Sequence, residues 1–283
     1  MEKNTQQRGL RVKREEIKVC VLRVGGTNCD AETKRAFEEL GVQAEIVHAN
    51  DLVKRRNLLE YHVLVFPGGF SYGDYVRAGA IWAKWIMAKL DKELKAFVNE
   101  NRLIFGICNG FQVLVEAGFL PGFDGVSPYP EAVLAPNFPP GYNCRWVYIR
   151  HENKGKCAFT WKIPHAKVLR IPVAHSEGRF MFAKEKEKKF LERLYQNDQL
   201  VFRYCDKSGE YANGHFPTNP NGSFHDIAGI CNPEGTIFGL MPHPERAFYW
   251  WQQPDWTRQK QMPQYGDGKL IFESLIEYLM KKF

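Results

Sequence analysis

RLIFGICNGFQVLVEAG, residues 102–118, passes from an apolar β-type segment directly into a helix, and one cysteine, Cys108, stands at the corner between Gly106 and Gly110. Glycines flanking a sharply turned residue let neighbouring backbone come close. Gly-x-Cys-x-Gly has the spacing of the G-x-S-x-G nucleophile elbow, with sulfur in place of oxygen, and it sits in the strand-to-helix context that motif requires. The positive end of the helix favours a thiolate there. The pentapeptide alone also fits a buried cysteine acting as a small hydrophobe, so its meaning depends on its surroundings.

The same strand-turn-helix rhythm occurs on the N-terminal side. IKVCVLRV (17–24) is an apolar, β-branched run ending at Gly25-Gly26, followed by an amphipathic helix over 31–40 closed by Gly41. AEIVHA (44–49) and HVLVFPGG (62–69) read as further strands, with a long helical region around 78–100. Apolar strands alternating with helices predict a three-layer α/β fold: a mostly parallel, flavodoxin-like sheet with helices on both faces. Beyond Leu120 the Pro/Gly-rich segment 121–143 reads as loop, and strands resume near 145–150 and 167–174. KEKEKK (184–189) reads as a solvated charged face. DIAGICNPEGTIFGLMPHPE (226–245) holds two apolar runs around Asn232-Pro233-Glu234-Gly235, an added β-hairpin near the C-terminus. A final helix over 268–280 turns Leu270, Ile271, Leu275, Ile276 and Leu279 inward. One domain over 17–283, preceded by a flexible extension of residues 1–16, is expected.

With 283 residues and 44% hydrophobic content, the chain can bury a sizeable core. A net charge of +7 is far from the concentrated basic stripe of a nucleic-acid binder. The seven cysteines (20, 29, 108, 144, 157, 205 and 231) are scattered without a C-x-x-C pair, which favours neither a disulfide framework nor a zinc cluster and suits a reducing cytoplasm. No secretion signal, membrane span or metal site is expected. The most apolar helical stretch, 80–90, is short and carries Lys84 and Lys89.

A thiol nucleophile needs a base, and the base needs an orienting group. MPHPE (241–245) offers both: in an extended, proline-bounded segment His243 and Glu245 would point to one side, Cα atoms roughly 6.6 Å apart. Glu245 would fix the imidazole tautomer and leave the other nitrogen for Cys108. FPGGF (66–70) supplies a second glycine turn at the end of a strand, where α/β sheets place ligands. The backbone N–H groups of Gly69 and Asn109 would form an oxyanion hole. Together these elements predict acyl transfer from an amide or ester through a thioester.

FPGGFSYGDYVRAGAIW (66–82), GICNGFQVL (106–114) and MPHPERAF (241–248) resemble the triad-type (class I) glutamine amidotransferases. GTNCD (26–30) and GGFSYGDYVRAG (68–79) are similar to the purine-pathway branch, the glutaminase subunits of phosphoribosylformylglycinamidine synthase. The resemblance implies Cys108 as nucleophile, His243 as general base and acid, Glu245 as its orienting partner, and Gln112, Gly69 and Phe70 as contacts for L-glutamine. VAHSEGRF (173–180) resembles a second substrate-contacting loop, with Ser176 where a glycine is expected and His175 equally readable as structural. The resemblance further implies ammonia transfer to a synthetase subunit, PurL-like, with a small PurS-like accessory subunit. The chain has no G-x-x-x-x-G-K-[ST] run, so no cofactor is expected in it, and ATP and magnesium are expected on the partner synthetase. Asp74, Tyr75 and Arg77 are candidates for the docking surface. A cysteine hydrolase or peptidase on the same scaffold, or a non-catalytic binding subunit, are the other readings. The segments 121–143 and 208–225 carry no predicted chemistry.

Overall fold

The computed structural model describes residues 12–258 and 262–282. The expected extension thus lies largely outside the described residues; within its described part, Arg14–Glu16 forms a 3-10 turn whose Arg14 guanidinium donates to the carbonyl of Leu40.

Eleven strands and six α-helices are found among the described residues: β1 (Lys18–Arg23), α1 (Asp30–Glu39), β2 (Gln43–His48), α2 (Ala49–Arg55), β3 (Val63–Phe66), α3 (Ala80–Asn99), β4 (Leu103–Ile107), α4 (Asn109–Glu116), β5 (Val133–Ala135), β6 (Asn143–His151), β7 (Val168–His175), β8 (Arg179–Met181), α5 (Glu187–Gln196), β9 (Leu200–Cys205), β10 (Ile227–Cys231), β11 (Ile237–Leu240) and α6 (Lys269–Lys282). Nine strands form one sheet in the order β2-β1-β3-β4-β11-β10-β9-β6-β7, and β5 pairs with β8 apart from it. The predicted α/β architecture is present. The run from β2 to β11 is parallel. From β11 outward every pairing is antiparallel, beginning with the predicted β10–β11 hairpin.

Strand alternation shows how both faces are covered. On β4, Phe105 faces α6, its ring 6.1 Å from Phe272, whereas Gly106 on the opposite face meets Leu114 of α4. Phe105 also stacks on Phe238 of β11 at 5.4 Å and lies 5.1 Å from Phe159. Each such ring removed from water contributes on the order of 2–3 kcal/mol. These aromatics fix β11 beside β4, and that adjacency builds the site. In α6, Ile271, Leu275, Ile276 and Leu279 are buried as predicted, together with Phe272. KEKEKK forms a largely exposed turn entering α5.

Candidate active site

The corner at Cys108 has φ 50° and ψ −104°, a conformation costly for a residue with a Cβ. Bonds on both sides hold it: the Cys108 N–H donates to the Leu240 carbonyl of β11 at 2.8 Å, and its own carbonyl accepts from Gln112 N as the first turn of α4. Close packing explains the flanking glycines. A Cβ on Gly110 would lie 1.8 Å from the Phe66 carbonyl oxygen, and one on Gly106 would lie 2.7 Å from the Gly110 carbonyl oxygen. The thiol is 4% exposed, and its sulfur lies 3.7 Å from the Ala174 carbonyl oxygen.

The segment after β11 brings the predicted base to this corner. His243 N–H donates to the Pro172 carbonyl of β7, and Nδ1 lies 2.6 Å from Glu245 Oε1, with both residues buried. The pairing is as expected but its geometry is not: Pro244–Ala247 is a 3-10 turn rather than extended chain, because Pro244 starts a turn readily and the Arg246 N–H closes it onto the His243 carbonyl. Nε2 is buried and has no hydrogen-bond partner among the described residues. Burial by itself would lower the His243 pKa; the Glu245 carboxylate and the sulfurs of Cys108 and Cys29 outweigh it and hold the imidazole well above its ordinary value.

The glycine turn after β3 closes a third side. Gly69 has φ 152°, and a Cβ there would meet Gly26 O at 2.7 Å and Asn28 N at 2.9 Å. Among the described residues the backbone N–H groups of Gly69 and Asn109 have no backbone acceptor. The Asn109 side chain ties this loop to α4, accepting from Ser71 N at 3.2 Å and donating to Gln112 Oε1 at 2.9 Å. Gln112 is 4% exposed and its Nε2 donates to the Glu177 carbonyl at 2.6 Å, so both ends of its amide clamp protein elements. Phe70 is exposed, its ring 6.3 Å from Tyr142.

His175 is a satisfied structural histidine. Its Nδ1 lies 3.2 Å from Asn137 Oδ1 and its Nε2 3.5 Å from Asn221 Nδ2, and burial pushes its pKa down to about 3. Asn221 also donates to the Tyr204 hydroxyl at 3.2 Å, so the segment 208–225, without a predicted role, supplies the polar backing of the site. Segment 121–143 supplies Tyr142, whose pKa burial raises and whose hydroxyl feels the charges of Cys108 and His243. Neither contribution has a local motif.

Cys29 and Arg246 were also not singled out individually. Cys29, the N-cap of α1, is 1% exposed with Sγ 3.9 Å from His243 Nδ1. Arg246 donates to that sulfur at 3.0 Å. Burial pushes the Cys29 thiol up to about 11. The recurrence of GTNCD beside MPHPERAF in the family resemblance was the available signal.

Of the three docking candidates, Tyr75 is 74% exposed. Arg77 instead forms a bidentate pair with Glu116 of α4, both bonds 2.6 Å. Asp74 is half-buried, its Oδ1 lacks a partner among the described residues, and burial together with Glu177 raises its pKa to about 6. Val76, not predicted, is 85% exposed with φ 73°, an unfavourable setting for a β-branched residue.

Residues 16–279 match the family described as CobB/CobQ-like glutamine amidotransferase domain. The chain belongs to this glutamine amidotransferase family. Phosphoribosylformylglycinamidine synthase subunit PurQ of Archaeoglobus fulgidus is 49% identical, covering 95% of this chain and 99% of its own. The protein of that name from Methanococcus maripaludis is 42% identical over 93% and 98%. A chain in the structure of PurLQS from Thermotoga maritima is 32% identical with a TM-score of 0.70, covering 93% of this amidotransferase and 99% of that chain. A putative GMP synthase subunit from Thermoplasma acidophilum, 16% identical with a TM-score of 0.53, shares the fold. No described helix of this amidotransferase is long and apolar enough to cross a membrane.

Proposed function

We propose that this chain is the glutaminase subunit of phosphoribosylformylglycinamidine synthase. It hydrolyses L-glutamine and passes the ammonia to a synthetase subunit that makes formylglycinamidine ribonucleotide in purine biosynthesis. The carrying observation is the buried His243–Glu245 pair at 2.6 Å, its second ring nitrogen unpartnered among the described residues and influenced by Cys108, in a chain 49% identical to a PurQ subunit.

Cys108 gives its thiol proton to His243 Nε2, and the sulfur attacks the side-chain carboxamide carbon of glutamine. The resulting oxyanion accepts from the N–H groups of Gly69 and Asn109, each such donor being worth about 2.7–4 kcal/mol of barrier. His243 Nε2 delivers a proton to the nitrogen, the C–N bond breaks and ammonia leaves a γ-glutamyl thioester. Water then attacks the thioester, His243 takes its proton, the C–S bond breaks and glutamate departs. Glu245 holds Nδ1–H throughout, which keeps Nε2 as the working nitrogen. Glutamine entry has to open the site, since Cys108 is 4% exposed.

Free ammonia released into water would be protonated and lost, so a docked acceptor subunit suits this chemistry. Tyr75 and Val76 form our docking surface for the PurL-like synthetase; ATP and magnesium belong to that partner, and a PurS-like subunit completes the assembly. The test is Cys108→Ala in the reconstituted complex: glutamine-driven synthesis should vanish while ammonia-driven synthesis persists. Retained glutamine-driven synthesis overturns the assignment. A diazo-ketone glutamine analogue should label Cys108 alone.

A further inference from the structure

The proposed reaction uses one sulfur, yet two cysteines influence the His243 ring. Cys29 Sγ lies 3.9 Å from Nδ1, the nitrogen bonded to Glu245. One donor atom from each of Cys29, His243 and Glu245 falls within 4.8 Å of the others, and all three residues are buried. Glu245 Oε2 is buried without any hydrogen-bond partner among the described residues, an acceptor left over after the histidine is satisfied.

Sulfur, imidazole and carboxylate make a donor set suited to a thiophilic divalent cation. Around tetrahedral zinc such atoms stand roughly 3.3–3.6 Å apart; from the present 2.6 Å between nitrogen and carboxylate, 3.9 Å between sulfur and nitrogen, and a remaining pair within 4.8 Å, seating the ion needs shifts on the order of 1 Å. The Arg246 guanidinium, now on the Cys29 sulfur at 3.0 Å, has an alternative partner in Glu32, whose carboxylate lies 3.5 Å from its Nε. We infer that Cys29, His243 and Glu245 form an inhibitory site for a soft divalent cation, zinc or cadmium.

On binding, the Cys29 thiol proton and the imidazolium Nδ1 proton both leave to solvent, and the cation takes Nδ1. The neutral imidazole then carries its proton on Nε2, where it cannot accept one from Cys108. The binding site stands by itself; the inhibition rests on the reading of His243 as the base.

Cadmium titration of the full chain separates the two. In a Cys144→Ser background, which removes the exposed thiol, Cys108→Ala should retain one tight cadmium equivalent with a thiolate-to-metal ultraviolet band. Adding Cys29→Ser should remove that equivalent. Adding His243→Asn or Glu245→Gln instead should weaken it by at least about tenfold, which keeps the test decisive if the Cys29 variant fails to fold. The inference is overturned if the tight equivalent disappears with Cys108→Ala alone, or survives the Cys29 or His243 substitution undiminished. Glutamine hydrolysis by the unsubstituted protein should fall as the site fills and return with chelator. Binding without inhibition would overturn the inhibitory role while leaving the binding site intact.

Discussion

Replacing Glu245 with Gln tests the acid–base machinery at its most buried point. Glu245 is 1% exposed and accepts from His243 at 2.6 Å, and its carboxylate is the largest of the influences that raise the histidine pKa. Gln keeps the shape but removes the charge that balances an imidazolium, and its amide can turn an N–H toward Nδ1 and favour the wrong tautomer. Breaking a buried ion pair by removing one partner costs about 3–5 kcal/mol. That cost falls on stability; for turnover, the same carboxylate-to-amide change beside a catalytic histidine costs up to about 10⁴ through the wrong tautomer, so a loss of roughly 10²–10⁴ in glutamine-driven kcat/KM is expected. The assay compares glutamine-driven with ammonia-driven synthesis in the complex, where ammonia-driven turnover should be unchanged. With the carboxylate gone, burial dominates and the histidine titrates lower, so the surviving activity should shift its pH profile toward acid. A loss below tenfold, or an equal fall in ammonia-driven turnover, would refute the reasoning.

Gly110→Ala should destabilise the fold at or above the top of the ~1–3 kcal/mol overpacking range, because the obstacle 1.8 Å away is the Phe66 carbonyl rather than a side chain that can swing aside. This corresponds to a fall of about 6–12 °C in thermal unfolding, and a Tm within 2 °C of the parent would contradict it. His175 and His151 are buried with pKa values down to about 3 and about 4. The unfolded chain therefore binds protons below its ordinary histidine range that the native state refuses, and stability should drop as pH falls from about 6.5 toward 4. Where both groups contribute, the slope approaches about 2.7 kcal/mol per pH unit, and denaturant unfolding across that window should show it weakened in His175→Asn. Tyr75→Glu should reduce synthetase binding and glutamine-driven synthesis with little change in Tm. Arg77→Glu should lower Tm as well, since it sets two carboxylates against each other at Glu116; unaltered thermal unfolding would show that the Arg77–Glu116 pair does not brace α4.

The parallel half of the sheet was legible because its strands are short apolar runs bounded by glycine, as in IKVCVLRV and HVLVFPGG. The antiparallel half was only partly so. LVFRYC, which forms β9, is buried along its whole length and has neither alternation nor flanking glycines to announce a strand. The elbow and the His243–Glu245 pair could be read because their chemistry is local. Tyr142, Asn221 and Cys29 could not be assigned, since each reaches the site through tertiary packing, Asn221 from 46 residues beyond His175 and Cys29 from 214 residues before His243. The partner of Arg77 was hidden for the same reason: sequence shows a charge on a loop but not Glu116 waiting opposite.

The place of β11 in the sheet has a consequence for biosynthesis of the chain. This strand joins the parallel half to the antiparallel half, yet it is residues 237–240 of 283. While the ribosome is still making the preceding segments, β4 and β10 lack the neighbour that lies between them, and the Cys108 corner lacks the Leu240 carbonyl that anchors it. Long-range pairing of this kind is slow and leaves strand edges exposed. The nascent protein should therefore carry an uncovered Cys108 thiol and open sheet edges until its last fifth emerges, which makes it a natural client for chaperones.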